Sequence, residues 1–133
     1  MIELIAVPFD GMGRDGAQAN APAALRAAGL VQAFGSRVAR RAEMAIPASS
    51  SHRSETSGLL NEAALVAMVT RTAAEVRQVL NRRHFPVVYG GDCSVLLATV
   101  PSLAAAAGST GLLFLDGHED ATPMELLPTG EAA

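Results

Sequence analysis

Short apolar runs alternate along the chain with polar stretches punctuated by glycine and proline. Ile2–Val7 is apolar, rich in β-branched residues and ends at Pro8, a pattern that predicts a buried strand. Residues 8–20, with Pro8, Gly11, Gly13, Gly16 and Asn20, read as loop. Asn20 is placed to cap a helix that carries Pro22 in its first turn and stops at Gly29. Residues 37–46 predict a weak second strand and 47–57 a polar loop. From Leu59 to about Arg83 the period changes. Leu59, Ala63, Val66, Val69, Ala73, Val76 and Leu80 recur every three or four residues, which predicts one long amphipathic helix with its arginines on a solvated face.

Pro86–Tyr89 predicts a strand that stops at Gly90-Gly91, and Asp92-Cys93-Ser94 then opens a helix that Pro101 bends or breaks. Gly108 and Gly111 flank a turn. Leu112–Leu115 is wholly apolar, as expected of a strand buried on both faces of a parallel sheet. Strands alternating with helices imply βαβ units and an α/β fold with a mainly parallel sheet. If the strands at 86–89 and 111–115 are parallel, the polar segments 90–94 and 116–120 meet at one edge of the sheet. Ligands bind at that edge in open α/β sheets.

Composition narrows the function classes. The 133 residues are 50% hydrophobic and 17% charged, which excludes a disordered chain. Lys and Arg total 10 against 13 Asp and Glu, a net charge of −3. No basic excess exists to neutralise phosphates, so nucleic acid is not an expected partner. A single cysteine leaves no internal disulfide and suits a reducing compartment. The N-terminus lacks the basic start and cleavage site of a secretory signal. The longest apolar candidate, Val95–Ala107, falls short of the ~20 residues of a membrane span and contains Pro101. The expectation is a soluble cytoplasmic protein with no membrane partner.

Two clusters carry chemistry. Asp116, His118 and Asp120 stand at alternate positions, so in extended backbone they project to one side. Two carboxylates and an imidazole suit a divalent cation such as Mn²⁺, Fe²⁺ or Zn²⁺. The competing reading is a polar turn in which Asp116 caps the next segment and His118 is exposed. In the other cluster, Cys93 follows two glycines near a helix N-terminus, where a thiol's pKa is lowered. It is a candidate ligand or nucleophile, or else a small buried hydrophobe. Gly11-Met12-Gly13-Arg14-Asp15-Gly16 matches the dinucleotide pattern G-x-G-x-x-G, but it does not directly join strand to helix. A flexible loop at a pocket rim is the other reading. His52 and His84 are expected at the surface, and only His118 has carboxylates beside it in the sequence.

Gly90-Gly91-Asp92-Cys93-Ser94, followed by Asp116-Gly117-His118-Glu119-Asp120, resembles the arginase/agmatinase (ureohydrolase) family, which has Gly-Gly-Asp-His-Ser and then Asp-Ala-His-x-Asp. Gly16-Ala17 and Ala21–Leu30 are similar to that family's opening. The resemblance implies a three-layer α/β/α fold and a two-manganese centre. That centre activates water for attack on a guanidinium or amidine carbon, with urea as a product. By position, Asp116 would bridge the metals, His118 and Asp120 would each bind one, and Asp120 would also serve catalysis by accepting a hydrogen bond from the nucleophile. Two departures stand out. Cys93 occupies the place of the first motif's His, which favours Zn²⁺ or Fe²⁺ over Mn²⁺. The family's later Ser-x-Asp-x-Asp segment and downstream His have no match here. The expectation is therefore the N-terminal portion, residues 1–133, of a single arginase-like domain, incomplete and inactive alone, with a homo-oligomer among the outcomes. The alternatives are a non-catalytic protein that binds a metal or partner, and a nucleotide-binding α/β domain.

Overall fold

The computed structural model describes residues 1–14, 16 and 18–116. Three parallel strands, β1 (Ile2–Ala6), β2 (Val38–Glu43) and β3 (Phe85–Tyr89), form a sheet in the order β2-β1-β3. β1 pairs with β3 from Ile2↔Phe85 to Ala6↔Tyr89 without a break, and with β2 through a register shift after Ile2. The chain leaves β1 by α1 (Ala21–Ala27) and α2 (Leu30–Phe34) to reach β2 on one side. It returns past β1 by α3 (Glu62–Asn81) to reach β3 on the other side, and then enters α4 (Leu96–Ala107).

Strand alternation assigns the layers. Ile5, Val7 and Phe9 enter a core with Met44 and with Ala64, Leu65, Met68, Val76 and Val79 of α3. Val88 and Ala42 pack against that same core. Their successors Tyr89 and Glu43 therefore face the opposite side, where Arg26 of α1 reaches both. Helices thus cover both faces, as right-handed crossovers in opposite directions require. Each fully buried large apolar side chain contributes ~1.5–3 kcal/mol. Phe9, Leu4, Ile5 and Met68 are the largest apolar ones here.

Several expectations change at this level. α3 starts at Glu62 rather than Leu59, because Leu60 forms an antiparallel bridge with Arg53 and Asn61 adopts a left-handed conformation (φ 52°). The buried residues of α3 are Ala64, Leu65, Met68, Thr72, Val76 and Val79; of the expected stripe, Val76 is buried, Val69 and Leu80 pack against the same core, and Val66 is 58% exposed. The docked face is thus turned from the expected stripe toward Leu65 and Met68. Pro101 lies inside α4 without ending it. Among the described residues Leu112–Leu115 joins no ladder; Leu113 is 81% and Leu115 86% exposed. No helix among the described residues is long and apolar enough to cross a membrane.

A second correction concerns charge. Glu3 on β1 is only 2% exposed, and Arg82 clasps it through both carboxylate oxygens at 2.8 Å. His84 Nδ1 lies 2.8 Å from the same carboxylate, and Arg40 of β2 approaches at 3.4 Å while also pairing with Glu75. His84 therefore does have carboxylate company, and Arg82 and Arg40 are not merely a solvated face. The Arg82 hydrogen bonds are the main cause that holds Glu3 down at about 2, against the opposing effect of burial.

Candidate functional site

The carboxyl ends of β1 and β3 adjoin, and the loops that leave them are bonded together. Gly90 (φ 86°) and Gly91 (φ 74°) turn the chain sharply after β3. A Cβ on Gly90 would lie 2.3 Å from Pro22 Cγ of α1, so only glycine lets these segments approach. Asp92 follows in extended conformation. Its Oδ1 accepts from the Ser94 amide at 3.0 Å and from the Ser94 hydroxyl, capping the turn that leads into α4. Its Oδ2 accepts from the Gly11 amide at 2.6 Å. Asp92 thus serves both loops at once.

The loop after β1 is anchored by Asp10, which is fully buried. Its Oδ1 accepts from the Met12 amide at 2.9 Å, and its Oδ2 has no hydrogen-bond partner among the described residues but lies 3.4 Å from Arg14 Nε. Asn61, just before α3, donates to the Asp10 carbonyl at 3.0 Å and accepts from the Ser50 amide at 3.0 Å. It stitches the 47–60 loop onto this rim. Gly13 packs so tightly that a Cβ would lie 2.2 Å from the Ser50 carbonyl oxygen. The Gly11–Gly16 segment is therefore a rim loop tied to Asp92 and Ser50. Its strand-to-helix geometry is not that of a dinucleotide fingerprint, since α1 begins only at Ala21. Neither Asp10 nor Asn61 stood out in the sequence. An Asn ahead of the long apolar period was the available signal for Asn61.

Cys93 is exposed on this rim, not buried as a small hydrophobe, and its Sγ lies 3.6 Å from Asp116 Oδ2. Cys93 and Asp116, 23 residues apart in the sequence, thus stand side by side. His118 and Asp120 lie outside the described residues. Among the described residues no group of three His, Cys, Asp or Glu side chains is arranged to hold a metal ion.

An open parallel α/β sheet with helices on both faces defines a protein of the three-layer α/β/α class. The arginase family model matches residues 1–132, and the chain belongs to that family. It is 31% identical to the arginase of Bacillus caldovelox over 134 aligned residues, which is 97% of this chain and 44% of that one. It is 28% identical to the arginase of Bacillus subtilis (strain 168), with the same coverage. The native Bacillus caldovelox arginase structure at pH 5.6 superposes with a TM-score of 0.85 at 29% identity, over 98% of this chain and 45% of that chain. A Bacillus subtilis arginase crystal structure gives 0.80 at 25% identity, over 99% and 43%. The chain thus spans less than half the length of these relatives.

Proposed function

We propose that this chain supplies the first part of a metal-dependent hydrolase acting on the C–N bond of a guanidino or amidino substrate, with urea as product. The approach of Cys93 to Asp116 at the carboxyl edge, in a member of the arginase family, carries this reading. A thiol beside a carboxylate is a mixed soft and hard donor pair, which fits a divalent cation of borderline softness, Zn²⁺ or Fe²⁺, better than Mn²⁺. Cys93 and Asp116, with His118 and Asp120 from the same motif, would hold it. Such a cation, when bound, lowers the pKa of water and polarises the substrate carbon.

The chain's own residues do the rest. Asp92 holds the two rim loops together, and Gly90 and Gly91 allow Cys93 to stand at the rim. Asp120 is assigned the role of orienting the nucleophile by accepting its proton in a hydrogen bond. The 133 residues alone are expected to bind metal weakly and to turn over little or no substrate, because two motifs provide only part of a two-metal donor set. A second reading, binding of a metal or partner without chemistry, is favoured by Cys93 in the place of histidine.

Urea release from arginine, agmatine and related guanidines with added Mn²⁺ or Zn²⁺ tests the first reading, alongside calorimetric metal titration. Robust turnover by this chain alone would overturn the inactivity. Two metal ions per chain would overturn the second reading, and an absence of any metal binding would overturn the first.

A further inference from the structure

The α1 face of the sheet carries a polar row that the proposed function does not use. Tyr89, Ala6 and Glu43 are partners in register across β3, β1 and β2. Ala6 is the small member of the row, and Arg26 of α1 spans it. Its Nη1 lies 2.7 Å from Glu43 Oε2 and donates to the Tyr89 hydroxyl at 3.5 Å. Arg41 stands two residues before Glu43, so its side chain leaves β2 on the same face. Arg41 is exposed and makes no hydrogen bond or ion pair among the described residues. A cavity of about 300 Å³ opens between these groups, lined by Arg26, Arg41, Ala42, Glu43 and Tyr89.

The charges of the lining decide the ligand. Two guanidinium groups and one carboxylate face a single small space. A phosphate dianion would be repelled by Glu43, and a simple amine by Arg41 and Arg26. A zwitterion satisfies both signs. The fork of Arg41 matches a carboxylate through two parallel hydrogen bonds. Glu43 is 52% exposed and keeps acceptor capacity for an ammonium group beyond its contact with Arg26. The volume stands at the lower end of the ~300–1,000 Å³ of ligand pockets, enough for one amino acid and not for a peptide. We propose that this cavity binds a free α-amino acid, with Arg41 holding its α-carboxylate and Glu43 its α-ammonium. The site is separate from the rim, since neither Cys93 nor Asp116 lines it.

The test is an NMR titration of the isotope-labelled, metal-free chain with L-phenylalanine, with phenethylamine, which lacks the carboxylate, with hydrocinnamate, which lacks the ammonium, and with inorganic phosphate. Phenylalanine should give saturable shifts of the Arg41, Ala42, Glu43 and Tyr89 amides. Phenethylamine and hydrocinnamate should each bind at least about tenfold more weakly, because each forfeits one charge-assisted contact. Arg41→Gln changes an exposed, unpaired side chain, so it should keep its circular dichroism spectrum and lose at least about tenfold in phenylalanine affinity. Glu43→Gln should weaken phenylalanine and leave hydrocinnamate unchanged or tighter, a split that a merely structural role would not give. The proposal is overturned if those amides do not shift, or if Arg41→Gln leaves the affinity unchanged. It is equally overturned if phosphate or hydrocinnamate binds as tightly as phenylalanine, which would mean an anion patch only, or if the shifts centre on Gly11, Met12 and Ser94, which would mean binding at the rim. Neither a metal nor a guanidino group takes part, so the outcome is independent of the proposed hydrolysis.

Discussion

The Gly11 amide donates to Asp92 Oδ2 across 2.6 Å, although the two residues are 81 positions apart. This bond joins the loop after β1 to the loop after β3. The other oxygen of the same carboxylate caps the start of the segment leading into α4. One side chain thereby sets the position of Cys93, its immediate neighbour.

Asp92→Ala should remove the cap and strand the Gly11 amide together. The expected loss is about 2–3 kcal/mol of unfolding free energy, from one cap and one part-buried unsatisfied donor. Asp92→Asn keeps one acceptor oxygen for either the cap or the Gly11 amide and sets its NH2 against the other, so it should lose about 1–2 kcal/mol, less than the alanine variant. Urea denaturation midpoints of the two variants check this; equal losses would remove the cap-and-bridge role.

Glycine replacement at two positions separates backbone strain from steric contact. Gly90→Ala meets both a φ of 86° and the Pro22 ring at 2.3 Å, and should cost at least about 2 kcal/mol. Gly58→Ala has a φ of 76° with open space around it, so only the strain of about 1 kcal/mol is expected. Thermal melts of the pair should rank in that order.

The Glu3 cluster predicts an acid limb in stability. Glu3 has a folded-state pKa lowered from 4.5 to about 2, so its contribution is fully present above pH 4.5. That contribution is lost as pH falls from 4.5 toward 2, where the folded state also takes up the proton. Glu3→Gln should flatten this part of the profile. It should cost about 1–2 kcal/mol at neutral pH, a modest loss because Arg82 and Arg40 can turn to solvent. Melting temperature against pH for the two proteins is the measurement.

Cys93→His should shift metal preference. Replacing the thiol with imidazole removes the soft donor beside Asp116, so calorimetric titration should show weaker preference for Zn²⁺ over Mn²⁺ in the variant. An unchanged ratio would mean that Cys93 is not a ligand.

Local pattern and composition were enough to delimit β1, β3, the glycine turn at 90–91 and the length of α3 to within a few residues. The two spaced motifs were enough to indicate the family. Each of these depends on residues close together in the chain, where period and turn chemistry act directly. The exact face of α3 that docks was decided by packing, which keeps Val76, Val69 and Leu80 of the expected stripe at the core but turns the helix toward Leu65, Met68 and Val79. The company of Glu3 was likewise beyond local reading, since its partners Arg82 and His84 lie 79 and 81 positions away. So was the state of Leu112–Leu115. Its apolar run has the composition of an inner strand, but burial requires neighbours on both faces, and those come from tertiary contacts rather than from the run itself.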